Sequence, residues 1–102
     1  MPSIDIGAPQ GGDTVTAPFD VQGLYSLDGS KETEANVKVV VSHPNGQDYP
    51  FGPQAPGGAT AYDVACNNVP SSNGDPATVT ASLLKKSDNS ELASQTTQVV
   101  IS

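Results

Sequence analysis

The stretch Asn36-Val37-Lys38-Val39-Val40-Val41-Ser42-His43 places the strongest constraint on what this chain folds into. Val37, Val39 and Val41 alternate with mostly polar residues, and period-two alternation of β-branched side chains is typical of a half-buried strand. Val40 breaks the polar face, so we expect that face to be partly covered. Pro44 and Asn45-Gly46 end the stretch, because proline has no amide proton and Asn-Gly favours a tight turn. We predict that this is the central strand of a β-sandwich.

The rest of the chain repeats this rhythm of short strands and turns. Alternating segments occupy 3–7, 18–25, 47–51, 60–66, 77–85 and 92–102, and Thr14-Val15 is expected to pair briefly. We assign 52–58 to a loop and 87–90 to the turn of a final hairpin. No segment has the 3.6-residue period of an amphipathic helix. The pattern predicts an all-β fold, an antiparallel β-sandwich of about seven strands with Greek-key connections. The residues expected to face its core are Phe19, Val21, Gly23, Tyr62, Val64, Cys66, Val79, Ala81, Leu83, Val99 and Ile101.

Length and composition fit one small β domain. The 102 residues include 10 Gly and 9 Pro, which suit frequent turns, and there is no arginine and little leucine to build long helices. We therefore assign 1–102 to a single domain. Met1 precedes the first strand almost directly, and the last strand runs to the final residue. We expect a module excised from a larger protein.

The charge balance argues against several classes of partner. Eleven acidic residues against four lysines give a net charge of −7, and nucleic acid binding needs clustered basic side chains. We therefore expect no nucleic acid partner, and anionic membrane surfaces are poor partners on the same ground. No apolar run is long enough to insert into a membrane. Cys66 is the only cysteine, so no internal disulfide forms and the redox compartment is left open.

Several motifs together resemble bacterial immunoglobulin-like (Ig-like) domains. They are Ala-Pro-Gln-Gly-Gly-Asp-Thr-Val at 8–15, Ala-Pro-Phe-Asp-Val-Gln-Gly at 17–23, the valine strand ending at Asn45-Gly46, Gly-Gly-Ala-Thr-Ala-Tyr-Asp-Val at 57–64, and the last two strands. Pro18-Phe19-Asp20-Val21-Gln22-Gly23 is similar to the Pro-Phe-x-Val-x-Gly of the Ig-like domain in bacterial spore-germination proteins. The resemblance implies an extracytoplasmic accessory module without catalytic residues. Antibody-type domains differ, because this chain has no tryptophan and no cysteine pair.

Candidate chemical groups are few, and each has a plainer structural interpretation. His43 precedes Pro44 at a strand end, so we expect a surface histidine rather than a catalytic base. Cys66 shares the inward parity of Tyr62, so we expect a buried, unreactive thiol. Two acidic groups suggest calcium, but neither matches an EF-hand, and solvated turns are the favoured interpretation. These groups are Asp28, Ser30, Glu32 and Glu34, and Asp88, Asn89 and Glu91.

The remaining surface features bear on binding. Glycan-binding sites usually stack sugar rings on exposed aromatic side chains, and Tyr25 and Tyr49 are the candidates for such contact. Val40 and Leu84 fall on predicted outer faces, where they would form a small apolar patch for another domain or protein. Glycoside hydrolysis needs two carboxylates facing one cleft, and a sandwich of this size offers no deep cleft.

The sequence therefore predicts a module that is not an enzyme and needs no cofactor or metal. We expect a bacterial cell-surface or secreted protein in which the module acts as a spacer or as a protein-interaction or adhesion domain. Its partners would be neighbouring domains or another protein, and the isolated domain would be a monomer. The alternative is a carbohydrate-binding accessory module that contacts glycan through Tyr25 and Tyr49.

Overall fold

The computed structural model describes residues 2–8, 10–27, 34–55 and 60–102. These residues form eight strands and no helix. The sequence predicts about seven strands, and the eighth is the two-residue segment Thr14–Val15, for which a brief pairing is expected. The strands are β1 (Ser3–Ile4), β2 (Thr14–Val15), β3 (Phe19–Ser26), β4 (Ala35–Ser42), β5 (Asp48–Gln54), β6 (Ala61–Cys66), β7 (Pro76–Lys85) and β8 (Glu91–Ile101).

The strands build two sheets that enclose one core. The smaller sheet has the order β1-β3-β6, and the larger has the order β2-β8-β7-β4-β5. Every pairing is antiparallel except that of β2 with the end of β8, which is parallel. The prediction of two purely antiparallel sheets is therefore wrong at this one edge. A segment of two residues carries no sequence signal for the direction of its pairing.

The core follows the alternation of the sequence. Val37, Val39 and Val41 of β4 are fully buried, and the other residues predicted to face inward are buried as well, except Gly23, which is half-buried. The valine strand lies inside the larger sheet, between β7 and β5, although the middle strand of that sheet is β7. The valine strand is therefore an interior strand rather than the predicted central one, and its apolar face supplies three of the fully buried side chains.

β5 is longer than the sequence suggests. The predicted strand stops at Phe51, whereas the observed strand continues through Gly52 to Gln54, so the predicted loop at 52–58 begins too early. Its residues 56–59 lie outside the described part of the chain. The register against β4 shifts between Val37 and Val39. Gly52 has a φ of +99° there, and a Cβ atom on it would lie 2.8 Å from the Val37 carbonyl oxygen. Glycine at position 52 therefore lets β5 continue past this irregularity, whereas a residue with a side chain would be strained there.

The strand register places the start of β1 and the end of β8 at opposite ends of the sandwich. Ser3 of β1 pairs with Ser26, the last residue of β3. Ile101 of β8 pairs with Val15, which lies shortly before the start of β3 at Phe19. The eight residues of β3 span roughly 26 Å at 3.3 Å per residue. The molecule measures 43 × 22 × 19 Å, so the chain enters at one end of its long axis and leaves at the other.

Candidate functional site

An open groove of about 880 Å³ lies on the outer face of the smaller sheet. Because side chains alternate along β3 and β6, one set of residues, which includes Val21 and Val64, faces the core, and the intervening set faces solvent. The end of β5 approaches β6 across the open side of the sandwich and adds to one wall. The groove is lined by Asp20, Gln22, Gly23, Gln54, Ala55, Ala61, Tyr62, Asp63, Ala65 and Asn67.

Carboxylate and amide groups dominate the groove. The Gln22 side chain donates from Nε2 to Asp63 Oδ2 at 3.4 Å, and Gln54 Nε2 donates to the Asp63 backbone oxygen at 3.2 Å. Asp20 adds a second carboxylate on the same face, and none of the described lining residues is a lysine. Leu24 is 61% exposed on the same strand, and it is the only large exposed apolar side chain of the described residues. The face is acidic at its centre, with an apolar residue at one end.

Tyr62 anchors the smaller sheet beneath this groove. Its ring is buried, and its hydroxyl donates a hydrogen bond of 2.5 Å to the backbone oxygen of Asp5. That path is open because Gly23, which pairs with Tyr62 in the sheet, has no side chain. Burial, and secondarily the Asp5 carboxylate, raises the pKa of Tyr62 to about 12. Tyr62 therefore fastens the segment after β1 and is not a reactive group.

Cys66 is fully buried, as its parity predicts. Its Sγ lies 3.9 Å from the Val64 backbone oxygen, a weak hydrogen bond. Burial, with a smaller contribution from the Asp20 carboxylate, raises the pKa of the thiol to about 12. Since the thiolate is the reactive form of cysteine, this side chain is a packing residue at neutral pH.

The two raised pKa values predict a loss of stability in alkali. The ordinary values are 9.0 for the thiol and 10.0 for the phenol, and both rise to about 12 in the fold. Below pH 9 both groups are neutral whether the chain is folded or unfolded. Above it the unfolded chain loses these protons first. The free energy of unfolding should therefore fall between pH 9 and 12, by up to roughly 1.4 kcal/mol per pH unit for each group.

Urea unfolding at a series of pH values measures this effect. Cys66→Ala should remove the part of the decline that begins near pH 9, and Tyr62→Phe the part that begins near pH 10. A free energy of unfolding that stays level from pH 9 to 12 would contradict the assignment.

His43 is buried at 8% exposure, so the prediction of a surface histidine is wrong. The Asn45 backbone N–H donates to Nδ1 at 3.1 Å, which leaves the ring proton on Nε2, 2.9 Å from the Pro70 oxygen. Position 43 continues the inward parity of Val37, Val39 and Val41, and this was the available signal. With both ring nitrogens bonded to the main chain, His43 joins a turn to a loop and is not placed as a catalytic base.

Tyr25 and Tyr49 lie in different sheets and are both half-buried against the core. Tyr25 pairs with Ile4 in the smaller sheet, and Tyr49 pairs with Val41 in the larger one. The Tyr49 hydroxyl lies 3.3 Å from both Asn45 Nδ2 and Gln47 Oε1, and its ring meets His43 edge to face. The fold does not bring the two tyrosines together, and glycan contact through either remains a prediction.

The acidic residues of the two candidate calcium groups form one pairing within a turn and one across the fold. Asp88 accepts hydrogen bonds from the backbone N–H and the hydroxyl of Ser90, which lower the pKa of its carboxyl group. Glu34 forms an exposed ion pair with Lys86 at 2.9 Å. Asp28, Ser30 and Glu32 lie outside the described residues. Within the described ranges, no three His, Cys, Asp or Glu side chains are grouped so as to hold a metal ion.

The predicted apolar patch of Val40 and Leu84 does not form. Leu84 is only 7% exposed, and Val40 is half-buried between Thr80 and Pro50 in the neighbouring strands. The register of β7 against β8 shifts between Leu83 and Leu84, so two successive residues are buried where strict alternation predicts one.

No family model matches this sequence, and no curated protein matches it significantly. A search of the described residues for a helix with the length and apolar character of a membrane span finds none.

Proposed function

We propose that this chain is a non-catalytic Ig-like module of a bacterial cell-surface or secreted protein. It serves as a spacer or as a protein-interaction or adhesion domain, and its partners are neighbouring domains or another protein. The alternative is a carbohydrate-binding accessory module that uses Tyr25 and Tyr49. It ranks second because half-burial of both rings leaves less ring face for a sugar to stack on.

The arrangement of strands supports the Ig-like part of this proposal. If β1 and β2 are the two halves of a first strand A, the sheets have the orders A-B-E and A′-G-F-C-C′. Variable-type Ig domains likewise place C′ beside C in the sheet that contains F and G. The motif Pro18-Phe19-Asp20-Val21-Gln22-Gly23 leads into β3 and forms its first five residues, and β3 corresponds to strand B, the second strand of the bacterial Ig-like domains that this sequence resembles.

The position of the chain ends is the observation that supports a spacer. β1 lies at one end of a 43 Å axis and the end of β8 at the other, so modules joined in series would extend one another. Thr16 holds the final residue, Ser102, through a hydrogen bond of 2.6 Å between the two hydroxyl oxygens. The last residue therefore stays at the end of the sandwich.

Two copies joined directly from Ser102 to Ser3 test the spacer role. Because the ends are opposed, small-angle X-ray scattering should give a maximum dimension of about twice the 43 Å of one copy. The matched control carries a long Gly/Ser linker, which should broaden the distribution of distances because such linkers are flexible. A compact particle in which the directly joined copies lie side by side would contradict the spacer proposal.

A further inference from the structure

We infer that the free edge of β6 binds an extended, lysine- or arginine-bearing segment of another protein as an added antiparallel strand. This inference rests on the protein-interaction role proposed above and names the surface and the chemistry of the partner.

β6 is an edge strand of the smaller sheet. Among the residues that the structure describes, it pairs with β3 on one side, and its outer backbone groups have no partner strand. The Tyr25 N–H donates to the Thr60 oxygen at 2.8 Å, which fixes the hydrogen-bonding phase of this ladder. In that phase the N–H and C=O groups of Tyr62 and Val64 point toward β3. Those of Asp63 and Ala65 point away from it, where an extended chain can pair with them.

The groove provides space beside this edge. Ala61 and Ala65 face outward on either side of Asp63, and their small side chains leave room for the side chains of an added strand. Gln54 Nε2 donates to the outward Asp63 oxygen at 3.2 Å. This bond shows that the oxygen accepts a donor from the side where an added strand would lie. The Gln54 side chain is exposed, so it can rotate away from the Asp63 oxygen. A backbone N–H of the added strand can then donate to that oxygen in its place.

Charge selects the kind of strand. A residue opposite Asp63 on the added strand would place its side chain beside that carboxylate. A residue opposite Ala65 would reach over a methyl group toward Asp20, the partner of Ala65 in β3. Alternate lysines or arginines would therefore meet two carboxylates. A second copy of this chain suits the edge poorly, because pairing β6 with β6 would bring two Asp63 carboxylates together.

The test uses the whole chain and a ten-residue peptide of alternating threonine and lysine with blocked ends. Amide-shift NMR should show changes clustered on 61–66, and exchange of the Asp63 and Ala65 amides should slow. A threonine–glutamate peptide should bind at least tenfold more weakly. A lysine opposite Asp63 points its backbone N–H at the β6 edge, whereas the backbone N–H of each threonine points away from it. N-methylation of the lysine backbone amides should therefore abolish binding, and N-methylation of the threonine backbone amides should not.

A matched pair of variants separates the edge from general attraction to an acidic protein. Asp63→Asn should weaken binding about two- to fivefold, the expected effect of one cross-strand charge pair. Asp75→Asn removes the same charge from an exposed residue that does not line the groove, and it should leave the affinity unchanged.

The inference is overturned if the glutamate peptide binds equally well, if the shifts fall outside 61–66, or if nothing binds at millimolar peptide. It is also overturned if a soluble oligosaccharide mixture shifts the groove amides and the peptide does not, which would favour the glycan-binding alternative. A negative peptide result leaves the scattering test of the spacer unaffected, so the two proposals fail separately.

Discussion

Val39→Asp is expected to unfold the domain. Val39 is fully buried in β4 and lies between Ala81 of β7 and Phe51 of β5. Its side chain faces the apolar core between the two sheets, where an aspartate would find no water. An unpaired buried charge costs several kcal/mol, and small domains are stable by only about 5–15 kcal/mol. Circular dichroism and urea unfolding should show loss of the cooperative transition or a midpoint at far lower urea.

Val40→Asp is the matched control for this prediction. It makes the same chemical change one residue along the same strand, on the face that points away from the core. Val40 is half-buried, so its carboxylate would keep access to water and the loss of stability should be much smaller. If both variants unfold alike, or if Val39→Asp remains folded, the assignment of the inward face of β4 is wrong.

The inward faces were predictable because apolar and polar residues alternate along the sequence of a half-buried strand. The alternation at Val37, Val39 and Val41 survives in the fold without exception. The same rule, carried one pair further, places His43 inward. Proline at position 44 suggested an exposed strand end, but the turn that follows bends back over the ring, and two backbone groups satisfy its nitrogens.

Other features depend on contacts that a local pattern does not encode. The burial of Leu84 follows from a register shift between β7 and β8, and the extension of β5 follows from an irregularity opposite Val37. The groove combines features that alternation predicts with features that depend on long-range contacts. Alternation predicts that Asp20 and Asp63 each point outward, but that they share one face depends on the pairing of β3 with β6. The contact with Gln54 depends on how the end of β5 approaches β6. Both are long-range properties of the fold.

Gly23→Ala is expected to be the most damaging conservative change in the smaller sheet. A Cβ atom at position 23 would overlap the Asp5 backbone oxygen and lie 2.8 Å from the Tyr62 hydroxyl oxygen. The first of these obstacles is main chain, so no side-chain rotation relieves it. Overpacking costs about 1–3 kcal/mol, and loss of the hydrogen bond from Tyr62 to Asp5 adds about 1 kcal/mol. We expect the free energy of unfolding to fall by about 2–4 kcal/mol.

Urea unfolding measures that loss, and amide exchange locates it. The Asp5 N–H donates to the Leu24 oxygen at 2.8 Å, and its exchange should accelerate if the segment after β1 is displaced. Gly7→Ala is the matched control, because a Cβ atom there would meet only ordinary contacts, at 3.7 Å or more. It should be close to neutral. Adding Tyr62→Phe to Gly23→Ala removes the clashing hydroxyl but leaves the Asp5 backbone in place, so it should not restore stability. Full restoration would show that the hydroxyl, and not the close approach of the two backbones, requires glycine at position 23.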